Sequence, residues 1–217
     1  MTETSSFTTE QEKFWAGKFG TDYISRNHGK NLLASNIAFF SRALSGTGKI
    51  SSCVEFGANI GMNLQALRIL YPDMKVHGVE INPDAAKKLT ETIGPDNVTE
   101  GSILEADPPE SDLALIKGVL IHINPEMLAE TYKKLVENTR RYLLVAEYYN
   151  PSPVSINYRG HDDRLFKRDF AGEIMDRHNE MALIDYGFVY HRDPAFPQDD
   201  MTWFLLKKEK AQGQCGE

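Results

Sequence analysis

Short apolar runs alternate with amphipathic runs along most of the chain. Ser52–Phe56, Lys75–Glu80, Asn97–Ile103, Asp112–Lys117 and Arg141–Glu147 are brief and rich in apolar residues, and each predicts a strand. Between them, Gly61–Leu70, Pro83–Ile93 and Pro125–Asn138 show helical spacing, the second with proline at an early position where its missing N–H costs nothing. Strand–helix alternation of this kind predicts a parallel, doubly wound sheet. Two further strand candidates, Met181–His191 and Thr202–Lys207, are joined by RDPAFPQDD. Strands joined so directly form an antiparallel hairpin. Ahead of the first strand, Trp15, Phe19, Tyr23 and Ile24 recur at helical spacing, and a second run covers Leu32–Leu44. The prediction is one α/β domain over 1–217. Its core, 50–208, is a Rossmann-like, doubly wound, mostly parallel seven-stranded sheet with a C-terminal antiparallel hairpin; 9–45 is an N-terminal helical cap. Residues 150–180 break the rhythm and read as a substrate-cap insertion. Residues 1–8 and 209–217 read as disordered.

Composition narrows the partners. The chain has 217 residues and a formal charge of -7. An acidic balance opposes a nucleic acid partner, because phosphate binding needs a basic face. The polar N-terminus has no signal core. No apolar stretch reaches the roughly 20 residues needed to span a bilayer. A cytoplasmic protein that engages neither membrane nor nucleic acid is expected; the oligomeric state is left open. Cys53 and Cys215 have neither metal spacing nor an expected disulfide, and no metal is predicted. Trp15 and Trp203 read as core.

Candidate chemistry concentrates at the first strand-to-helix turn, Val54–Gly61 (VEFGANIG). Ligands of open α/β sheets bind at the carboxyl ends of strands, near the topological switch point. A dinucleotide fingerprint would place its second glycine where Asn59 stands, and the Cβ of Asn59 would intrude on a pyrophosphate. The pattern E-x-G-x-N-x-G therefore suits a ligand without phosphates, and asparagine tolerates left-handed backbone angles. Glu55 can bind the ammonium of a methionine moiety. Glu80 ends the second strand about 20 residues on, where a carboxylate binds ribose hydroxyls and repels a 2′-phosphate.

These features together resemble a class I S-adenosylmethionine-dependent methyltransferase. KGVLIHINPEML (117–128), YLLVAEYYNP (142–151), YRGHDDRLFKRDF (158–170) and the N-terminal Phe14-Trp15, Phe19-Gly20 and Tyr23–Asn27 resemble a narrower group, the methylases associated with pseudaminic acid biosynthesis. The resemblance implies S-adenosyl-L-methionine as cofactor. It would be held by Tyr23, Arg26, Glu55, Gly57, Ala58, Asn59, Gly61, Glu80, Ile81, Ser102, Ile103, Lys117, Gly118 and Val119. Ser102 and Ile103 would flank adenine, and many members have Asp near Ser102; its absence leaves the adenine amino contact open. His122 and Tyr149 are the catalytic candidates, His122 as general base. The acceptor is expected to be a small, acidic metabolite, sugar-acid or amino-acid-like, methylated on O or N. Tyr148, Asn150, Tyr158, Arg159, Arg164 and Lys167 would bind it, since arginine's planar fork suits a carboxylate. Salt bridging to Asp162, Asp163 and Asp169 is the competing reading of that basic cluster. An NAD-binding oxidoreductase and a non-catalytic binding protein of the same fold are the alternatives.

Overall fold

The structure, a computed structural model, describes residues 7–24, 29–158 and 161–209, with the backbone alone at 158 and 161–164. Five parallel strands, β1 (Ser52–Phe56), β2 (Lys75–Glu80), β3 (Val98–Glu100), β4 (Ser111–Lys117) and β5 (Thr139–Glu147), build most of one sheet. A small antiparallel pair, β6 (Val154–Tyr158) and β7 (His161–Lys167), stands apart from it. Strands β8 (Met181–Val189) and β9 (Met201–Lys208) complete a sheet of order β3-β2-β1-β4-β5-β9-β8, with β9 antiparallel to both neighbours. The strand order reverses at β1, with β2 and β3 on one side and β4 and β5 on the other, which makes the carboxyl ends of β1 and β4 the switch point.

Helices α1 (Glu10–Ala16), α2 (Lys18–Ile24) and α3 (Lys30–Ala43) form the N-terminal cap. Helices α4 (Met62–Leu70), α5 (Pro83–Ile93), α6 (Leu128–Glu137) and α7 (Phe170–Arg177) follow. Strand residues alternate between two apolar layers. Leu113, Leu115 and Leu144 pack with Phe40, Leu64 and Leu89; Ala114, Ile116 and Leu143 pack with Tyr132, Leu135 and Phe170. A sheet covered on both faces needs nearly continuous apolar strands, and β4 (SDLALIK) is one. Among the described residues, no helix is long and apolar enough to cross a membrane.

The elements differ from expectation where local chemistry intervenes. The third strand is only Val98–Glu100, because Pro95–Asn97 forms a 3-10 turn and Gly101, at φ +150, redirects the chain. Ser102 and Ile103 therefore sit in a loop. The helix expected from Pro125 begins as a 3-10 turn, Pro125–Met127, capped by the Asn124 side chain, and becomes α only at Leu128. Segment 150–180 is a β-hairpin followed by α7, whose N-cap Asp169 accepts from the Gly172 N–H. Its periodicity is hidden in the sequence because β6 exposes apolar side chains, with Val154 and Ile156 both open to solvent, while Leu165 and Phe166 on β7 are buried. The predicted disorder falls on termini that lie largely outside the described residues, although Thr9 is the N-cap of α1 in a capping box with Glu12.

Candidate functional site

The glycine turn after β1 folds back onto the end of β2. Gly57, Asn59 and Gly61 have φ of +76, +48 and +83, conformations that the smallest residues and asparagine adopt most cheaply. The N–H groups of Gly57 and Ala58 donate to the Val79 carbonyl at 2.9 and 3.0 Å. A Cβ on Gly57 would lie 2.4 Å from Val119 Cγ2, so glycine is also what lets the turns after β1 and β4 touch. Glu80 closes the arrangement: Oε2 accepts the Asn59 N–H at 2.7 Å, and Oε1 accepts the Asn82 N–H at 2.8 Å. Above the turns lies a cavity of about 710 Å³. That is within the range of small-molecule sites, roughly 300–1,000 Å³.

Most of the sequence-predicted cofactor residues meet at this cavity. Gly57, Ala58, Asn59, Glu80, Ile81, Ser102, Ile103, Lys117, Gly118, Val119 and Tyr23 line it, as do His122 and Tyr148. Glu55 and Gly61 do not. Glu55 is 1% exposed and sits behind Asn63, whose Nδ2 donates to its Oε1 at 2.6 Å; Asn63 is the residue that faces the cavity. Gly61 supplies the left-handed N-cap of α4. Tyr149 is also outside the cavity wall. It is 41% exposed, its ring packs 5.9 Å from Phe204, and its backbone forms an isolated bridge with Arg168. The Asn150 amide bonds to the Ser152 carbonyl on the surface. Lys167 lies over the Tyr148 ring at 5.4 Å and does not line the cavity. Arg168, which adjoins Lys167 in the chain, is bound to Glu173 at 2.7 Å, and Glu173 also receives the Tyr132 hydroxyl. Arg26 and Arg159 lie outside the described residues, as do the side chains of Tyr158 and Arg164.

Burial dominates the electrostatics. It pushes the Glu55 carboxyl up to about 8, against the opposing pull of the Asn63 amide and the Lys117 ammonium. Burial also raises Glu80, with the N–H groups of Asn82 and Asn59 pulling the other way. Lys117 is held below its ordinary value by burial, despite the nearby carboxylates of Glu55, Asp199 and Glu147. His122 is 9% exposed on a 3-10 turn, Leu120–His122, with its ring 4.6 Å from that of Trp15.

Several site residues carry no signal in a strand–helix pattern. Glu147, the last residue of β5, accepts the N–H groups of Val119 and Leu120 at 3.0 Å each, and so holds the turn that carries His122. Burial pushes its carboxyl up to about 7. Trp15, expected in the core, is a cavity wall, whereas Trp203 is core. Asn36 on α3 and Gln198, Asp199 and His191 from the β8–β9 connection also line the cavity. Glu12 is different: TTEQE is a readable capping box, yet its place in the site is not. Buried polar atoms of the wall residues Trp15 (Nε1), Asn59 (Oδ1) and Gln198 (Oε1) have no hydrogen-bond partner among the described residues. Among the described residues no cluster of His, Cys, Asp or Glu could hold a metal.

The fold is that of the class I S-adenosylmethionine-dependent methyltransferases. The chain superposes on magnesium protoporphyrin IX methyltransferase from Synechocystis, crystallised with bound SAM, at TM-score 0.65 and 13% identity, covering 95% of this chain and 100% of that one. It matches Burkholderia thailandensis 1,6-didemethyltoxoflavin-N1-methyltransferase, with bound 1,6-didemethyltoxoflavin and S-adenosylhomocysteine, at TM-score 0.66 and 14% identity, over 92% of this chain and 87% of that one. It also matches the mitomycin 7-O-methyltransferase at TM-score 0.65 and 14% identity, over 92% of this chain but only 61% of the longer enzyme. No family model and no curated protein matches the sequence.

Proposed function

We propose that this protein is an S-adenosylmethionine-dependent methyltransferase acting on a small-molecule acceptor. The observation that carries the reading is Glu80. Its carboxylate is fixed by two backbone N–H groups at the lip of a glycine-walled crevice, with lone pairs left for a ribose diol. The residues fit the cofactor on independent grounds. Gly118, at φ +69, has none of the described residues within 4 Å of a would-be Cβ apart from its chain neighbours, so the backbone presents an open cradle there. Asn59 Oδ1 and Trp15 Nε1 offer an unmet acceptor and an unmet donor. In this reading Glu80 holds the ribose, Asn63 and Lys117 face the methionine end, and Glu55 acts through Asn63.

The bound sulfonium supplies an intrinsically transferable methyl group, which leaves orientation and exclusion of water to the protein. His122 is the proposed general base, fixed by the Glu147-capped turn and by Trp15. The acceptor is proposed to be acidic, with Arg159 or Arg164 reading its carboxylate and Tyr148 walling its path. Support for the acid comes from the chain's basic cluster; support for a small molecule comes from the size of the cavity. Titration calorimetry with S-adenosylhomocysteine and NAD tests the cofactor. Heat with the first and none with the second is expected; tight NAD binding without S-adenosylhomocysteine binding overturns the proposal. Mass analysis of a metabolite pool incubated with methyl-labelled S-adenosylmethionine then identifies the acceptor. With it, His122→Ala should lower turnover by about 10²–10⁴-fold. Arg159→Lys or Arg164→Lys should lower kcat/KM by about tenfold, the loss of a bidentate contact. A neutral acceptor, or wild-type kinetics in both arginine variants, removes the acidic reading.

A further inference from the structure

We infer that Glu12, delivered from helix α1 and hydrogen-bonded to Ser102, reads the exocyclic amine of the cofactor's base. This deepens the methyltransferase reading and rests on it. In the sheet order, β2 lies between β3 on one side and β1 and β4 on the other. A nucleoside whose ribose sits on Glu80 must point its base one way and its 5′ substituent the other. Toward β1 and β4 the walls carry Asn63 and Lys117, suited to an amino-acid tail. Toward β3 they are Ile81, Ile103 and Leu104, an apolar slot suited to a flat ring. The same cavity wall holds Glu12 and Ser102, which are hydrogen-bonded to each other and 8% and 4% exposed.

The carboxylate there is oriented but not saturated. Glu12 Oε2 accepts the Thr9 N–H at 2.7 Å and the Thr9 hydroxyl at 3.1 Å. Oε1 accepts the Ser102 hydroxyl. Ser102 Oγ in turn accepts the Leu104 N–H at 3.1 Å, which directs its proton toward Glu12. A carboxylate has about four acceptor directions, and the described residues use three; the remaining one is on Oε1. An amino group on the ring edge satisfies it. An oxo group in the same place would set two acceptors against each other in a buried site, with no proton between them.

Glu12 also has a structural task, because it completes the α1 capping box and ties α1 to the loop after β3. The experiment therefore separates reading from latching. S-adenosylhomocysteine and S-inosylhomocysteine, which differ by amine against oxo, are titrated into the full chain and into Glu12→Ala, Glu12→Gln and Thr9→Ala. The wild type should prefer the amine by about tenfold or more. Glu12→Ala should lose most of that preference through weaker S-adenosylhomocysteine binding. Glu12→Gln, which can keep the capping box, should lose part of it. Thr9→Ala breaks the cap but leaves the carboxylate, and should weaken both ligands alike. An unchanged preference in Glu12→Ala, equal weakening of both ligands in it, or a wild type indifferent to the base overturns the inference while the cofactor assignment stands. A wild type that binds neither ligand overturns both.

Discussion

Glu80, Glu55 and Glu147 are all buried glutamates at or one residue before a strand end, yet their neighbours give them different work. The Glu80 carboxylate is aimed at the cavity by two backbone N–H groups; Glu55 is spent on Asn63, and Glu147 on the turn after β4. Removing the first should therefore damage binding directly. Glu80→Ala should weaken S-adenosylhomocysteine binding by about 1–3 kcal/mol, the cost of leaving the ribose hydroxyls and the Asn59 and Asn82 N–H groups without their acceptor. Calorimetry measures it, and wild-type affinity in the variant would show that the ribose lies elsewhere. Glu80 was readable because the distance from the glycine turn is nearly constant in such βαβ units. Glu147 was not, since nothing along the chain says which backbone donors a buried strand-end carboxylate will meet.

At the scale of elements, Asn82 joins the cap to the sheet. Its Oδ1 caps α5 through the Ala85 N–H at 3.1 Å. Its Nδ2 donates to the carbonyls of Trp15, Ala16 and Gly17 at 3.1–3.3 Å, so one side chain starts α5 and binds the C-terminal end of α1. Gly20 allows the approach, because a Cβ there would sit 1.9 Å from the Trp15 carbonyl. Asn82→Ala should cost about 1 kcal/mol for the lost helix cap alone. It should also free α1 and α2, seen as faster proteolysis within residues 7–24 than elsewhere in the chain. Uniform protection would mean that the aromatic contacts of Trp15 with Phe19, Tyr23 and His122 suffice to hold the cap. The Asn-Pro start of α5 was legible, since an N-cap residue before a helix-initiating proline is a local signal. The second half of Asn82's role depends on a segment more than 60 residues earlier.

For the molecule as a whole, buried carboxyls couple folding to pH. Glu55 and Glu147 rise from 4.5 to about 8 and about 7 on folding. In that window the native state holds protons that the unfolded chain has released, so this pair makes stability fall as pH climbs from about 5 to about 8. Glu147→Gln keeps an acceptor for the Val119 and Leu120 N–H groups and removes one titration. Thermal unfolding across this range should give a shallower decline in Tm for the variant than for the wild type. A variant slope equal to that of the wild type would show that Glu147 does not titrate with folding. The strand and helix order, the glycine turn, the strand-end position of Glu80 and the terminal hairpin are legible along the chain, because each rests on short-range periodicity or on the backbone conformation a few residues can adopt. That Trp15 is a wall and Tyr149 is not, that Asn63 stands in front of Glu55, and that Glu12, Asn36 and Gln198 share one cavity follows from the packed fold alone. Those placements depend on which distant segments pack together, and packing is set by the shape of the whole core rather than by any local run of residues.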